Sequence, residues 1–372
     1  MKYTLYGDGI HTDTEAIQEL LDNAHGQVIL PAPENFYLID KPLRISSNTE
    51  LILPAYAIIR LKEMCNCHML ECDGAQNVTV RGGIWDYNNL QQLKNPFHFS
   101  HDAFPAYDGQ MFMLTNMKNL VLSGITFKDP VTYAVTMDTV SYFTIENIVF
   151  DFNRGNPRPM NMDGIHLNGN CHYGTMRNLQ GACYDDLVAL NADEGSDGPI
   201  THISIDGIYC EGCHSAARLL SVKNEVSHIH ISNVYGSFYQ YCIGITKYYP
   251  GKTVGYFDSI VLDNIHAEKS PRYGWLHWSE DFALHSYVYP IIFMEAEVHV
   301  KSLSISELYR VEKCVPVSTV FLGKDGLLEN LTVRNAVTEN QSGKDMVFFD
   351  LQGEVQHQEI VNARAIGCEL NI

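Results

Sequence analysis

Two acidic clusters carry the residue types and spacing of a catalytic centre. They are Asn161-Met162-Asp163-Gly164 and, about 22 residues on, Tyr184-Asp185-Asp186-Leu187. Both lie where short β-type segments recur at similar spacing. If the chain coils back every roughly 20–30 residues, that separation lays side chains of neighbouring turns beside one another. Three carboxyl groups on one small surface repel unless water, a cation or a shared proton relieves them. A carboxyl kept protonated beside others kept ionised is the requirement for acid–base cleavage of a sugar–sugar bond.

The elements that must position these acids are short and alternating. Examples are Asn77–Ile84, Asn119–Phe127, Tyr142–Phe150, His202–Ile208, His228–Val234, Ser259–Ile265 and Asn330–Val337. Each is an alternating strand, then Gly or Asn, then another apolar pair. Alternation makes a half-buried strand, and Gly or Asn takes the left-handed conformation that bends the chain sharply. The likeness of the copies and the scarcity of hairpin dipeptides favour a single-stranded, right-handed parallel β-helix over a β-sandwich. A helix is expected over about Thr14–Asn23, capped by Asp13 or Thr12, with Ala16, Ile17, Leu20 and Leu21 on one apolar face. It would close one end of the core, within a capping segment of about residues 8–26. No low-complexity linker divides the chain, so residues 1–372 are expected to form one domain. Two stretches break the repeat, at about 87–110 and 269–297, and long loops on a rigid scaffold often wall a binding site.

Composition narrows the function. With 372 residues and 45% hydrophobic content the chain can bury a large core. Its net charge of −19 repels nucleic acid and anionic membranes, so neither is expected as a partner. The N-terminus, Met1-Lys2-Tyr3-Thr4-Leu5-Tyr6-Gly7-Asp8, lacks the apolar run of a signal peptide, and no later run spans a bilayer. The expected location is therefore cytoplasmic, with the ten cysteines mostly reduced. Cys210-Glu211-Gly212-Cys213-His214 spells a haem-attachment pattern. It also fits a coil of the repeat, and no export signal accompanies it, so no haem is expected.

An ordered series of short motifs over most of the chain resembles glycoside hydrolase family 28, the polygalacturonases of the right-handed β-helix pectinase-like superfamily. Asp8-Gly9 with Thr12–Gln18 resembles the superfamily's opening, and Gly82–Asp86 its Gly-rich segment. Lys128-Asp129-Pro130 lies where the family has Asn-Ser-Pro. Asn161–Gly164 is similar to Asn-Thr-Asp-Gly, Asp185–Leu190 to Asp-Asp-Cys-Val-Ala-Ile, and Cys213-His214-Ser215 sits where Gly-His-Gly is expected. The resemblance implies inverting hydrolysis without metal or cofactor. Asp185 would protonate the leaving oxygen, while Asp163 and Asp186 orient and deprotonate water. The family's Arg-Ile-Lys should fall near Ile243–Lys247, where Lys247 is present and the Arg is not. That departure touches galacturonate recognition more than the acids.

Further candidates surround the acids. Asn161, His166 and Asn168 flank Asp163 at alternate positions and could share its face. His214 could hydrogen-bond an acid or contact the sugar. Arg154, Arg158, Arg218 and Lys247 could hold an acidic or hydroxyl-rich ring. Trp275 and Trp278 could stack on it. The expected activity is hydrolysis of oligosaccharides, of α-linked galacturonide or a related sugar, in an exo mode. A lyase or epimerase on the same scaffold, using Lys223 or Lys247 as base, and a non-catalytic carbohydrate-binding β-helix are the competing readings.

Overall fold

The computed structural model describes residues 2–248, 253–270 and 289–372. The repeat forms two long parallel sheets, one of 16 strands and one of 11. Each strand pairs with its equivalents one coil before and one coil after. Lys118, for example, sits in register with Gln76 on one side and Ser141 on the other. This parallel pairing gives the right-handed β-helix and excludes the sandwich. Equivalent residues lie 23, 26, 29 or 31 positions apart in regular coils. The interval widens to 42 and 43 where the two inserted stretches intervene.

Alternation places one apolar column inside the coil. Leu122, Ile145, Met176, Ile205, Ile231 and Leu262 stack in register, all fully buried. At the bends, Asn77, Asn119, Asn147 and Asn178 hold φ between 54° and 59°. Their side chains stack into a ladder: Asn119 donates to Asn77 at 2.8 Å and Asn178 to Asn147 at 2.7 Å. Asparagine thus satisfies both the left-handed backbone and the rung below. Asn178→Ala is expected to cost about 1–2 kcal/mol in urea unfolding, from left-handed strain and the loss of its bonds to Asn147 and Gln180. Asn178→Gly, which removes only these bonds, should cost less.

The helix Thr14–Asp22 closes the first coil with Ala16, Ile17 and Leu21 buried. Asp13 precedes it as expected but does not cap it by its side chain. Its buried carboxylate instead accepts from the amides of Tyr6 at 2.6 Å, Gly7 at 3.1 Å and Leu38 at 3.2 Å, fastening the N-terminal segment to the second coil strand. No helix among the described residues is long and apolar enough to cross a membrane. The ten cysteines are free thiols.

Candidate active site

The site is built on the second sheet, where strands Ile165–Leu167, Asp186–Asn191, Ser215–Leu220 and Ile243–Thr246 stack. Their register sets one outward column of Thr136, His166, Ala189, Arg218, Gly244 and Phe293. The acids lie at the starts of the first two of these strands. The Gly164 amide donates to the Asp186 carbonyl, which fixes Asp163 beside the Asp185–Asp186 pair.

The three carboxyls occupy different environments. Asp163 is 1% exposed, yet lines a cavity of about 350 Å³. Its Oδ2 meets His166 Nδ1 at 2.7 Å, while its buried Oδ1 has no hydrogen-bond partner. Burial, then the charge of Asp185, pushes its carboxyl up to about 7 against the pull of His166. Asp185 also lines the cavity and keeps a partly exposed side chain. Its carboxyl is raised as well, first by burial, with Asp186 adding to it and His214 opposing. Asp186 is sealed behind them and does not face the cavity. Ser215 Oγ donates to it at 2.5 Å, and Arg218 Nε lies 2.8 Å from its other oxygen as a close ion pair without hydrogen-bond alignment. Burial works against its charge, but Arg218 and His214 outweigh that and hold it at about 2.

A second charge relay supports Asp163. His166 is buried, stacked under Tyr133 at 4.1 Å, with Nδ1 on Asp163 and Nε2 on Glu194 at 2.9 Å. Burial disfavours its charge, but the two carboxylates outweigh that and lift it to about 9. Glu194 is correspondingly held near 2 by His166 despite burial. His166 therefore holds Asp163 and Glu194 and does not line the cavity.

His214 lines the cavity, its Nδ1 3.7 Å from Asp185 and 3.6 Å from Asp186. Its ligand atom and those of the two acids lie within 4.8 Å of one another, close enough for a cation, although Arg218 already neutralises Asp186 there. Asn161 lines the cavity at φ 52° and accepts from His98 at 2.8 Å and Asn95 at 3.2 Å, so the inserted stretch at 87–110 is fastened to the site. Asn168 turns away, to Asp138 at 3.3 Å.

The predicted cations divide. Arg218 lines the cavity; Arg154 and Arg158 do not. Lys247 is buried, off the cavity, with its Nζ on Glu297. Lys223 is exposed and paired with Asp197. Within Ile243–Lys247, where the family's Arg-Ile-Lys was expected, the outward column is occupied by Gly244, and a Cβ there would lie 2.5 Å from the Tyr241 ring. The guanidinium stands one coil earlier in the same column, as Arg218. Trp275 and Trp278 lie outside the described residues. Sequence reasoning missed Tyr133, Glu194, Gln240, Tyr241 and Glu295, which line the cavity from turns and inserted segments.

With a parallel β-helix and paired acids at a cavity established, the comparisons identify the class. Residues 1–239 match the family described as rhamnogalacturonase A/epimerase, pectate lyase-like. The chain belongs to that family. No curated protein matches the chain. Among solved structures, the endo-xylogalacturonan hydrolase from Aspergillus tubingensis superposes with TM-score 0.63 at 17% identity, over 98% of this chain and 99% of that one. The exopolygalacturonase from Thermotoga maritima gives 0.59 at 14%, over 97% and 89%. A tailspike of E. coli bacteriophage HK620 gives 0.67 at 10%, over 96% and 62%. At such identities the likeness shows the fold alone.

Proposed function

We propose that this protein is an inverting, exo-acting glycoside hydrolase of oligosaccharides of the pectin type, cleaving an α-linked galacturonide or a related sugar. The observation that carries the reading is the pair Asp163 and Asp185. Both face one cavity with raised proton affinity, while Asp186 is held ionised behind them. Environments that push neighbouring carboxyls apart are how acid and base roles are assigned.

In this reading Asp185 gives its proton to the glycosidic oxygen as the bond to the anomeric carbon breaks. A water on the opposite face of the ring attacks that carbon and loses its proton to Asp163. The product leaves with inverted configuration, and the two carboxyls have exchanged protonation states. His166 holds one oxygen of Asp163 and leaves the other for water. His98 and Tyr289 from the two inserted stretches, with Phe293 and Glu295 from the strand Ile292–Met294 and its end, wall the cavity, which suits attack at a chain end. Among the described residues neither candidate lysine base of a lyase faces the cavity. Time-resolved proton NMR tests the reading: the first-formed product should carry the anomer opposite to the bond cleaved. Retention, or an unsaturated product absorbing in the ultraviolet, would overturn it.

The relay adds a pH prediction. Asp163 must be ionised to accept a proton, so kcat/KM should rise with pH up to about 7, the limb falling lower to the extent that a protonated Asp185 no longer repels the Asp163 charge. His166 pulls that value down, so in His166→Asn the Asp163 carboxyl holds its proton to higher pH. The acidic limb of the profile should move up by about 1 pH unit. A limb that stays in place would refute the assignment of Asp163 as base.

A further inference from the structure

We propose that the sugar ring held against Asp163 and Asp185 is uncharged: a neutral glycosyl residue, not a uronate. The inference rests on the glycosidase reading for the class of ligand, and on the cavity's own atoms for the charge.

Asp163, Asp185, Glu194 and Glu295 all face the cavity. Each described cation near them is already engaged. Arg218 sits on Asp186, His166 lies between Asp163 and Glu194, and Lys247 is on Glu297. His214 stands between Asp185 and Asp186. A carboxylate entering this space meets like charge in a partly dry site, an arrangement that costs several kcal/mol when charges are juxtaposed across an interface.

Hydrogen-bond polarity points the same way. Gln240 Oε1 is a buried acceptor without a partner on a cavity residue. An unmade buried bond is costly, so the fitting ligand brings an O–H donor to this atom. Every hydroxyl of a neutral sugar donates. An ionised carboxylate only accepts. Tyr133, Tyr184, Tyr241 and Tyr289 add aromatic surface to the wall, which suits the C–H surface of a sugar. Glu295 is fixed in place by the amides of Lys247 at 2.6 Å and Tyr248 at 2.8 Å, so its charge belongs to the wall.

The experiment uses sugar pairs that differ only at C6: galactose with galacturonic acid, and glucose with glucuronic acid. Binding to the full-length Asp185→Asn protein is measured by calorimetry at pH 7, and wild-type turnover is compared on nitrophenyl α-galactoside and α-galacturonide. The neutral member of a pair should bind at least about tenfold more tightly, and the galactoside should be the better substrate of its pair. Equal or tighter binding of the uronate, a higher kcat/KM on the galacturonide, or failure of either member of both pairs to bind would each overturn the inference. Preferred galacturonide turnover with inversion leaves the hydrolase reading standing. Absence of turnover on any glycoside sinks that reading, while the binding preference is read independently.

Discussion

Replacing Asp185 with Asn is expected to lower kcat by roughly 10³-fold on an oligosaccharide while leaving the fold intact. The side chain keeps its shape, and its Oδ1 still accepts the Asp186 amide, now 3.1 Å away. The loss is therefore one of proton donation, which an amide cannot supply. Leaving-group dependence isolates that role. A dinitrophenolate leaves without protonation, so Asp185→Asn should recover most of its rate on a dinitrophenyl glycoside. Asp163→Asn should not recover, because the base that activates water is missing whatever the leaving group. The paired measurement separates acid from base, which a simple loss of activity does not. Equal loss on both substrates for Asp185→Asn would exchange the two roles, and unchanged turnover on the oligosaccharide would remove Asp185 from the reaction.

The acids were legible in sequence because a coil converts sequence distance into spatial adjacency. A separation near one coil length puts Asp163 beside Asp186 in register, as the pairing of Ile165 with Val188 records. The fold was legible for the same reason: alternation, a left-handed Asn or Gly, and recurrence are local signals repeated many times. Glu194 and Glu295 had no such signal. Each sits past the end of a strand, and its direction is set by contacts with residues distant in sequence, Glu194 by His166 and Glu295 by the Lys247 and Tyr248 amides. His166 was visible as a neighbour of Asp163, yet alternation could not say that it points under Tyr133 instead of toward a ligand. Charge pairing was equally hidden. Lys247 falls where a family cation belongs, but Glu297, 50 residues on, claims it. The N-terminal cap shows the same limit: Asp13 has the right residue type and place, but three amides from outside the helix compete for its oxygens and win.

Arg218→Met is expected to destabilise the protein by about 3–5 kcal/mol, because it strands the charge of a carboxylate sealed from solvent. Asp186 keeps Ser215 Oγ and the 3.6 Å approach of His214, neither of which replaces a full guanidinium at 2.8 Å. The double variant Arg218→Met, Asp186→Asn removes the stranded charge and should regain most of that loss, so the two substitutions are strongly non-additive in denaturant unfolding. The gap also depends on pH with a definite sign. The Asp186 carboxyl is depressed from 3.8 to about 2 in the folded state, so the stability it contributes is complete above about pH 4 and fades as pH falls through 2. Wild type and Arg218→Met should converge in strong acid and separate toward neutrality. A gap independent of pH would mean that Arg218 acts through packing alone. If the pair is electrostatic, the double variant should stay slow even where it is stable. Asp185 would then lose both the Asp186 charge that raises its proton affinity and the smaller opposing pull of Arg218, with the loss of Asp186 prevailing. Its acid would titrate lower, and the alkaline limb of kcat/KM would move down with it.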